Sequence, residues 1–101
     1  MARRLERVVR EEDTLCRYGG DEFLILCEGV TAAEVGDVAQ RIVAAVSDSV
    51  VVGGVTHRIG VSVGVAMAHP GEVADADDLV RRADQAMYRA KTGGGHRAVV
   101  A

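Results

Sequence analysis

The run IGVSVGVAM (residues 59–67) limits the fold of this chain more than any other stretch. Ile59, Val61, Val63, Val65 and Met67 alternate with Gly60, Ser62, Gly64 and Ala66. A strand has a period of two, so one face of this run is bulky and the other nearly bare. The pattern predicts a strand buried on both sides, with a helix or a second backbone lying close against the bare face. Such a strand needs a layer above it and a layer below it. The chain is therefore expected to form a sandwich of helices and sheet.

The remaining composition fits one small domain. The chain has 101 residues, 49% of them apolar but only three aromatic, so the core must be built from Val, Ile, Leu, Ala and Met. A net charge of −3 argues against electrostatic binding to a nucleic acid polymer, which needs a basic face. Cys16 and Cys27 are the only cysteines. One pair does not make a secreted disulfide scaffold, and no matching His/Cys set completes a zinc site, so two reduced, half-buried thiols are expected. No run approaches the ~20 apolar residues of a membrane span. The basic N-terminal stretch MARRLERVVREED lacks the apolar centre of a signal peptide. The expected setting is the cytoplasm.

Along the chain, Leu5, Val8 and Val9 predict a short helix over residues 2–12. Residues 14–18 and 22–27 read as strands joined across Gly19-Gly20, a pair able to take positive φ in a hairpin turn. A helix is expected over 32–47. Thr31 and Glu34 form a capping box ahead of it, and Val35, Val38, Ala39, Ile42, Val43 and Val46 fall on one face. Gly53-Gly54 marks a second hairpin. Pro70-Gly71 ends the 59–67 strand. Asp75 or Asp77 caps a helix running to about Lys91, with Leu79, Ala83, Ala86, Met87 and Ala90 as its apolar stripe; TGGG stops it, and RAVV is a last strand. The class is α+β, an α/β sandwich with helices flanking a mainly antiparallel sheet.

The chemistry concentrates in RYGGDEFLIL (residues 17–26). Neighbouring strand residues point to opposite faces, so Asp21 and Glu22 are expected to differ, one facing a cleft and the other buried or braced. Two readings are open on spacing alone. The acids are solvated at a hairpin tip, or one of them holds a hard cation such as Mg²⁺, which takes one or two protein carboxylates and leaves its other positions to water and phosphate oxygens. The bare glycines would let a ligand lie against the backbone. His57, His69 and His96 have no metal-triad spacing and read as surface or loop residues. Tyr18 and Phe23 read as packing groups.

RYGGDEF resembles the full signature of the GGDEF family, the diguanylate cyclases. VSVGVAMA (residues 61–68) is similar to that family's Ser-x-Gly-x-Ala strand. LVRRADQAMYRAKTGGG (residues 79–95) is similar to its ADxALYxAK helix, with Met87 where Leu is usual. Arg10 and Asp13 stand at the spacing of its RxxD inhibitory motif. The resemblance implies a nucleotide-cyclase, palm-like fold and a reaction that joins two GTP molecules into cyclic di-GMP with release of two pyrophosphates. A homodimer would present one GTP per subunit, and an upstream sensor domain is compatible. It further implies that Gly19 and Gly20 lie against the nucleotide and that Asp21 is the metal carboxylate, for Mg²⁺ or Mn²⁺, and a candidate base. Glu22 is the second acid, and Lys91 meets the triphosphate. Arg10 and Asp13 would dock cyclic di-GMP, with Arg41 as a second arginine. The family often has an arginine four residues after the lysine; Gly95 stands there, with Arg97 two places on.

The resemblance also implies an absence. The family domain begins with a strand bearing a metal-binding Asp, then a helix with an Asn and an Asp that read guanine, and no stretch of this chain resembles these. Residues 1–101 are thus expected to form a single partial domain, roughly the C-terminal two-thirds, without the first strand and helix. The missing strand is central in the family sheet, so its loss is expected to leave a gap and an open edge. The isolated chain is expected to be inactive as a cyclase. The alternatives are a module that binds cyclic di-GMP without catalysis and a non-functional remnant.

Overall fold

A computed structural model describes residues 2–47, 49–58, 60–72 and 75–101. The elements in chain order are α1 (Ala2–Val8), β1 (Thr14–Gly19), β2 (Glu22–Cys27), α2 (Val35–Ser47), β3 (Ser49–Val52), β4 (Val55–Arg58), β5 (Ser62–Met67), α3 (Ala76–Thr92) and β6 (Arg97–Val100). Ile59 and the side chain of His57 lie outside the described residues.

β5 is buried along its whole length, as its alternation requires. Val61, Val63, Val65 and Met67 join Phe23, Ile25 and Cys27 of β2 in a core closed by Leu5 of α1 and by Val38, Ile42 and Val46 of α2. The bare face turns to α3, where Leu24, Ala66 and Ala68 pack with Leu79, Ala83 and Met87. A Cβ at Gly64 would lie 1.9 Å from the Ala83 carbonyl oxygen, so α3 rests directly on the strand. The stripe expected on α3 is buried throughout. On α2, Val43 is 38% exposed rather than buried, and Ala45 is buried in its place.

The helices flank the sheet as expected, but the main sheet is mixed rather than mainly antiparallel. Its order is β1-β2-β5-β6. β1 and β2 are antiparallel, whereas β2–β5 and β5–β6 are parallel. Long connections through α2 and α3 carry the chain back to its starting end, and a parallel neighbour needs such a crossover. No gap separates β2 from β5 among the described residues: the two strands pair directly from Glu22–Ser62 to Cys27–Met67. β3 and β4 form a separate two-stranded sheet whose turn glycines, Gly53 and Gly54, both take positive φ (58° and 79°) as the hairpin demands.

Two helix starts and stops differ from expectation for local reasons. α1 ends at Val8 instead of running to 12. The Asp13 carboxylate accepts the Arg10 amide at 2.7 Å, and the Asp13 amide donates to the Arg10 carbonyl at 3.0 Å, a local turn that competes with helical bonding. Residues 32–34 are a turn ahead of α2. Glu34 Oε1 accepts both the Thr31 amide (3.0 Å) and the Thr31 hydroxyl (2.8 Å), so the hydroxyl bonds the carboxylate and not the Glu34 amide. These bonds hold the Glu34 carboxyl below its ordinary range. α3 is capped by Asp75, which accepts the Asp77 amide at 3.1 Å.

Candidate active site

The first hairpin turns one residue later than the Gly-Gly pair suggests. Gly19 still pairs with Glu22, and the register shifts between Arg17 and Gly19, so Tyr18 is accommodated as a bulge and the two-residue loop is Gly20-Asp21. Neither Gly19 nor Gly20 is among the positive-φ glycines. Asp21 therefore belongs to the turn, not the strand. The rule of opposite faces does not apply, and Asp21 and Glu22 line the same cleft.

That cleft, ≈ 380 Å³, joins two distant motifs. Gly20, Asp21 and Glu22 line it with Lys91 from the last turn of α3, and Gly60, Ser62, Gly94 and Gly95 complete it. Lys91 Nζ lies 3.7 Å from Glu22 Oε1, with the Glu22 side chain 27% exposed. Glu22 is thus the braced acid. Asp21 is exposed and its carboxylate makes no hydrogen bond or ion pair among the described residues. The two glycines are bare for different reasons. A Cβ on Gly19 would sit 2.8 Å from Glu22 Oε1, so its bareness makes room for Glu22. Nothing lies within 4 Å of a Cβ on Gly20, which leaves that side open to a ligand.

The turn is held through its backbone. Arg17 Nη2 donates to the Gly20 carbonyl (3.3 Å), with its guanidinium 5.9 Å from the Phe23 ring centre. The Ser62 amide donates to the Asp21 carbonyl at 2.8 Å. Sequence reasoning assigned no role to Arg17 or Ser62, although both stand inside quoted motifs. Arg97 does not line the cleft. Its Nε donates to the Gly95 carbonyl (3.3 Å), and a Cβ on Gly93 would lie 2.8 Å from its Nη1.

Among the described residues no group of three or more His, Cys, Asp or Glu converges as a protein-built metal cage. An exposed carboxylate with a second acid beside it and open space next to it fits a hard cation that keeps most positions for water and phosphate oxygens.

Arg10 and Asp13 are brought together tightly. Arg10 Nη2 donates to Asp13 Oδ1 at 2.7 Å and to the Glu28 carbonyl at 2.9 Å. Glu12 Oε1 lies 3.1 Å from its Nε and Glu34 Oε2 3.6 Å from its Nη1. The Asp13 side chain is 1% exposed, and its hydrogen bonds push the Arg10 pKa up. Arg41 lines a groove between α1 and α2 with Arg4, Arg7 and Val8, and neither Arg10 nor Asp13 lines that groove. Cys16 and Cys27 are both free thiols, Cys27 fully buried. His69 Nδ1 lies 2.8 Å from the Val30 carbonyl oxygen. Among the described residues no helix is long and apolar enough to cross a membrane.

Comparison with known proteins finds relatives of this chain. The chain is 36% identical over 94 residues to the bifunctional diguanylate cyclase/cyclic di-GMP phosphodiesterase MucR of Pseudomonas aeruginosa, covering 93% of this chain and 14% of that protein. It is 32% identical over 98 residues to diguanylate cyclase A of Treponema denticola (96% and 26%). It is 37% identical over 101 residues to the response regulator PleD of Caulobacter vibrioides (97% and 22%). The chain thus spans about a quarter or less of these relatives. The X-ray structure of an EAL/GGDEF domain protein from M. capsulatus superposes with a TM-score of 0.61 at 33% identity, over 98% of this chain and 64% of that one. The family model described as diguanylate cyclase, GGDEF domain, matches residues 1–97, and the chain belongs to that family.

Proposed function

We propose that the cleft at the Gly20-Asp21 turn is the GTP site of a diguanylate cyclase domain, whose family reaction converts two GTP to cyclic di-GMP and two pyrophosphates. The observation that carries this reading is the meeting of Asp21, Glu22 and Lys91, from opposite ends of the chain, in one cleft. Asp21 would hold Mg²⁺ or Mn²⁺. Bound there, the ion would neutralise phosphate charge and align the attacking hydroxyl with the phosphorus. Gly20 leaves room for the nucleotide against the backbone. Lys91 exchanges its long contact with Glu22 for the triphosphate, and Glu22 is then free to act as the second acid. A homodimer would supply the second GTP.

Product docking at Arg10 and Asp13 is part of the same reading. A phosphate would enter by displacing Glu34 or Glu12, the exposed partners of Arg10, with Arg41 contributing from its separate groove.

The 101-residue chain by itself is expected not to make cyclic di-GMP. The described corner offers two carboxylates, one of them paired with Lys91. The family's other metal carboxylate and its guanine-reading residues have no counterpart in the 101 residues. Incubation with GTP and Mg²⁺ should yield no cyclic di-GMP; product at rates typical of the family would overturn this. A fluorescent GTP analogue should bind the chain, and Lys91→Met should weaken it roughly tenfold, the value of one charge-assisted contact. Equal binding by wild type, Lys91→Met and Asp21→Asn would remove the assignment of the cleft.

A further inference from the structure

We infer that Arg17 is a positioning residue for Asp21, acting through the backbone of the turn; the inference rests on the reading of Asp21 as the metal carboxylate. Asp21 has no side-chain partner among the described residues and sits in a two-residue loop, so nothing on its own side chain aims it. Its backbone is held instead. The peptide before it is fixed by Arg17, whose Nη2 donates to the Gly20 carbonyl at 3.3 Å. The peptide after it is fixed by β5, through the Ser62 amide and the Asp21 carbonyl at 2.8 Å. With both flanking carbonyls tied, the backbone of Asp21 is restrained, and with it the direction of the Cα–Cβ bond that carries its carboxylate.

Arg17 suits this role for two reasons. It pairs directly with Phe23 across the hairpin, so both side chains lie on one face. Its guanidinium lies over the buried Phe23 ring, 5.9 Å from the ring centre, within cation–π range, while Nη2 reaches the turn.

The test is Arg17→Met in the 101-residue chain, probed with Mn²⁺ alone. Methionine keeps an apolar cover over Phe23 and loses the donor. Removing a cation beside a metal site should by itself tighten Mn²⁺ binding, so the sign of the change separates lost position from lost charge. We expect Mn²⁺ to bind about threefold to tenfold more weakly, the range of one net hydrogen bond, with Tm within a few degrees of wild type. Hydrogen exchange at the Ser62 amide, which donates to Asp21, should speed up relative to the other amides of β5. Unchanged or tighter Mn²⁺ binding would overturn the proposal, and so would unchanged exchange at Ser62. Failure of the unaltered chain to take up Mn²⁺ would overturn the metal reading of Asp21 instead, and the Ser62 amide would still decide whether Arg17 holds the turn.

Discussion

A methyl group added at Gly64 would lie 1.9 Å from the Ala83 carbonyl oxygen and 2.5 Å from the Met87 amide nitrogen, inside the backbone of α3. A methyl group at Gly19 would meet only the far end of a flexible side chain, Glu22 Oε1 at 2.8 Å. The two substitutions should therefore separate. Gly64→Ala is expected to cost about 3 kcal/mol or more, because a whole helix must lift from the sheet. Gly19→Ala is expected to stay within about 1 kcal/mol, because a carboxylate can swing aside, and its effect should appear in the Glu22–Lys91 contact. Urea unfolding of both variants checks this; equal losses would mean that α3 does not rest on Gly64. The residues whose roles were legible from type and spacing were those with one dominant physical use, such as the bare face of β5. Arg17 was not legible, since its role depends on an aromatic ring across the hairpin and on a carbonyl three residues ahead.

At the scale of elements, the hairpins show the limits of local signals. Gly53-Gly54 turns as its composition predicts, with both residues at positive φ. Gly19-Gly20 carries the same dipeptide and does not, because a bulge at Tyr18 moves the loop on by one residue. Strand direction was equally hidden. Alternation marks a strand as buried but carries no sign of its neighbour's direction, so the parallel β2–β5 and β5–β6 pairs emerge only from the crossovers. In the β3–β4 ribbon the described apolar side chains lie open to solvent. Val51, Val52 and Val55 are 57–67% exposed, and an isolated two-stranded ribbon is marginal in water. Amides of β3 and β4 should exchange roughly a hundredfold or more faster than those of β5. Matching protection would show that the ribbon unfolds only with the core.

Across the whole molecule, Cys27 links the core to the Arg10–Asp13 corner. Burial pushes its thiol up to about 12 from an ordinary 9.0, and the Asp13 charge adds to the shift. An acid with a raised folded pKa binds its proton more tightly in the native state. Stability should therefore be intact below pH 9.0 and fall as pH climbs toward about 12, where the unfolded thiol ionises and the folded one resists. Cys27→Ala should flatten that alkaline decline in denaturant titrations run across the same range; an unchanged slope would show that another group carries it. The amino-acid sequence by itself determined the family signature, the three helices, the two hairpins and most of the stripes that face the core, because each is written in residues close together in the chain. Tertiary structure alone decided that Asp21 belongs to a turn, that Lys91 meets Glu22, that Arg41 shares a groove with Arg4 and Arg7, and that β2 closes directly on β5. Those outcomes depend on distances between residues far apart in sequence, set by how closely a helix can approach a strand that has no side chain in the way.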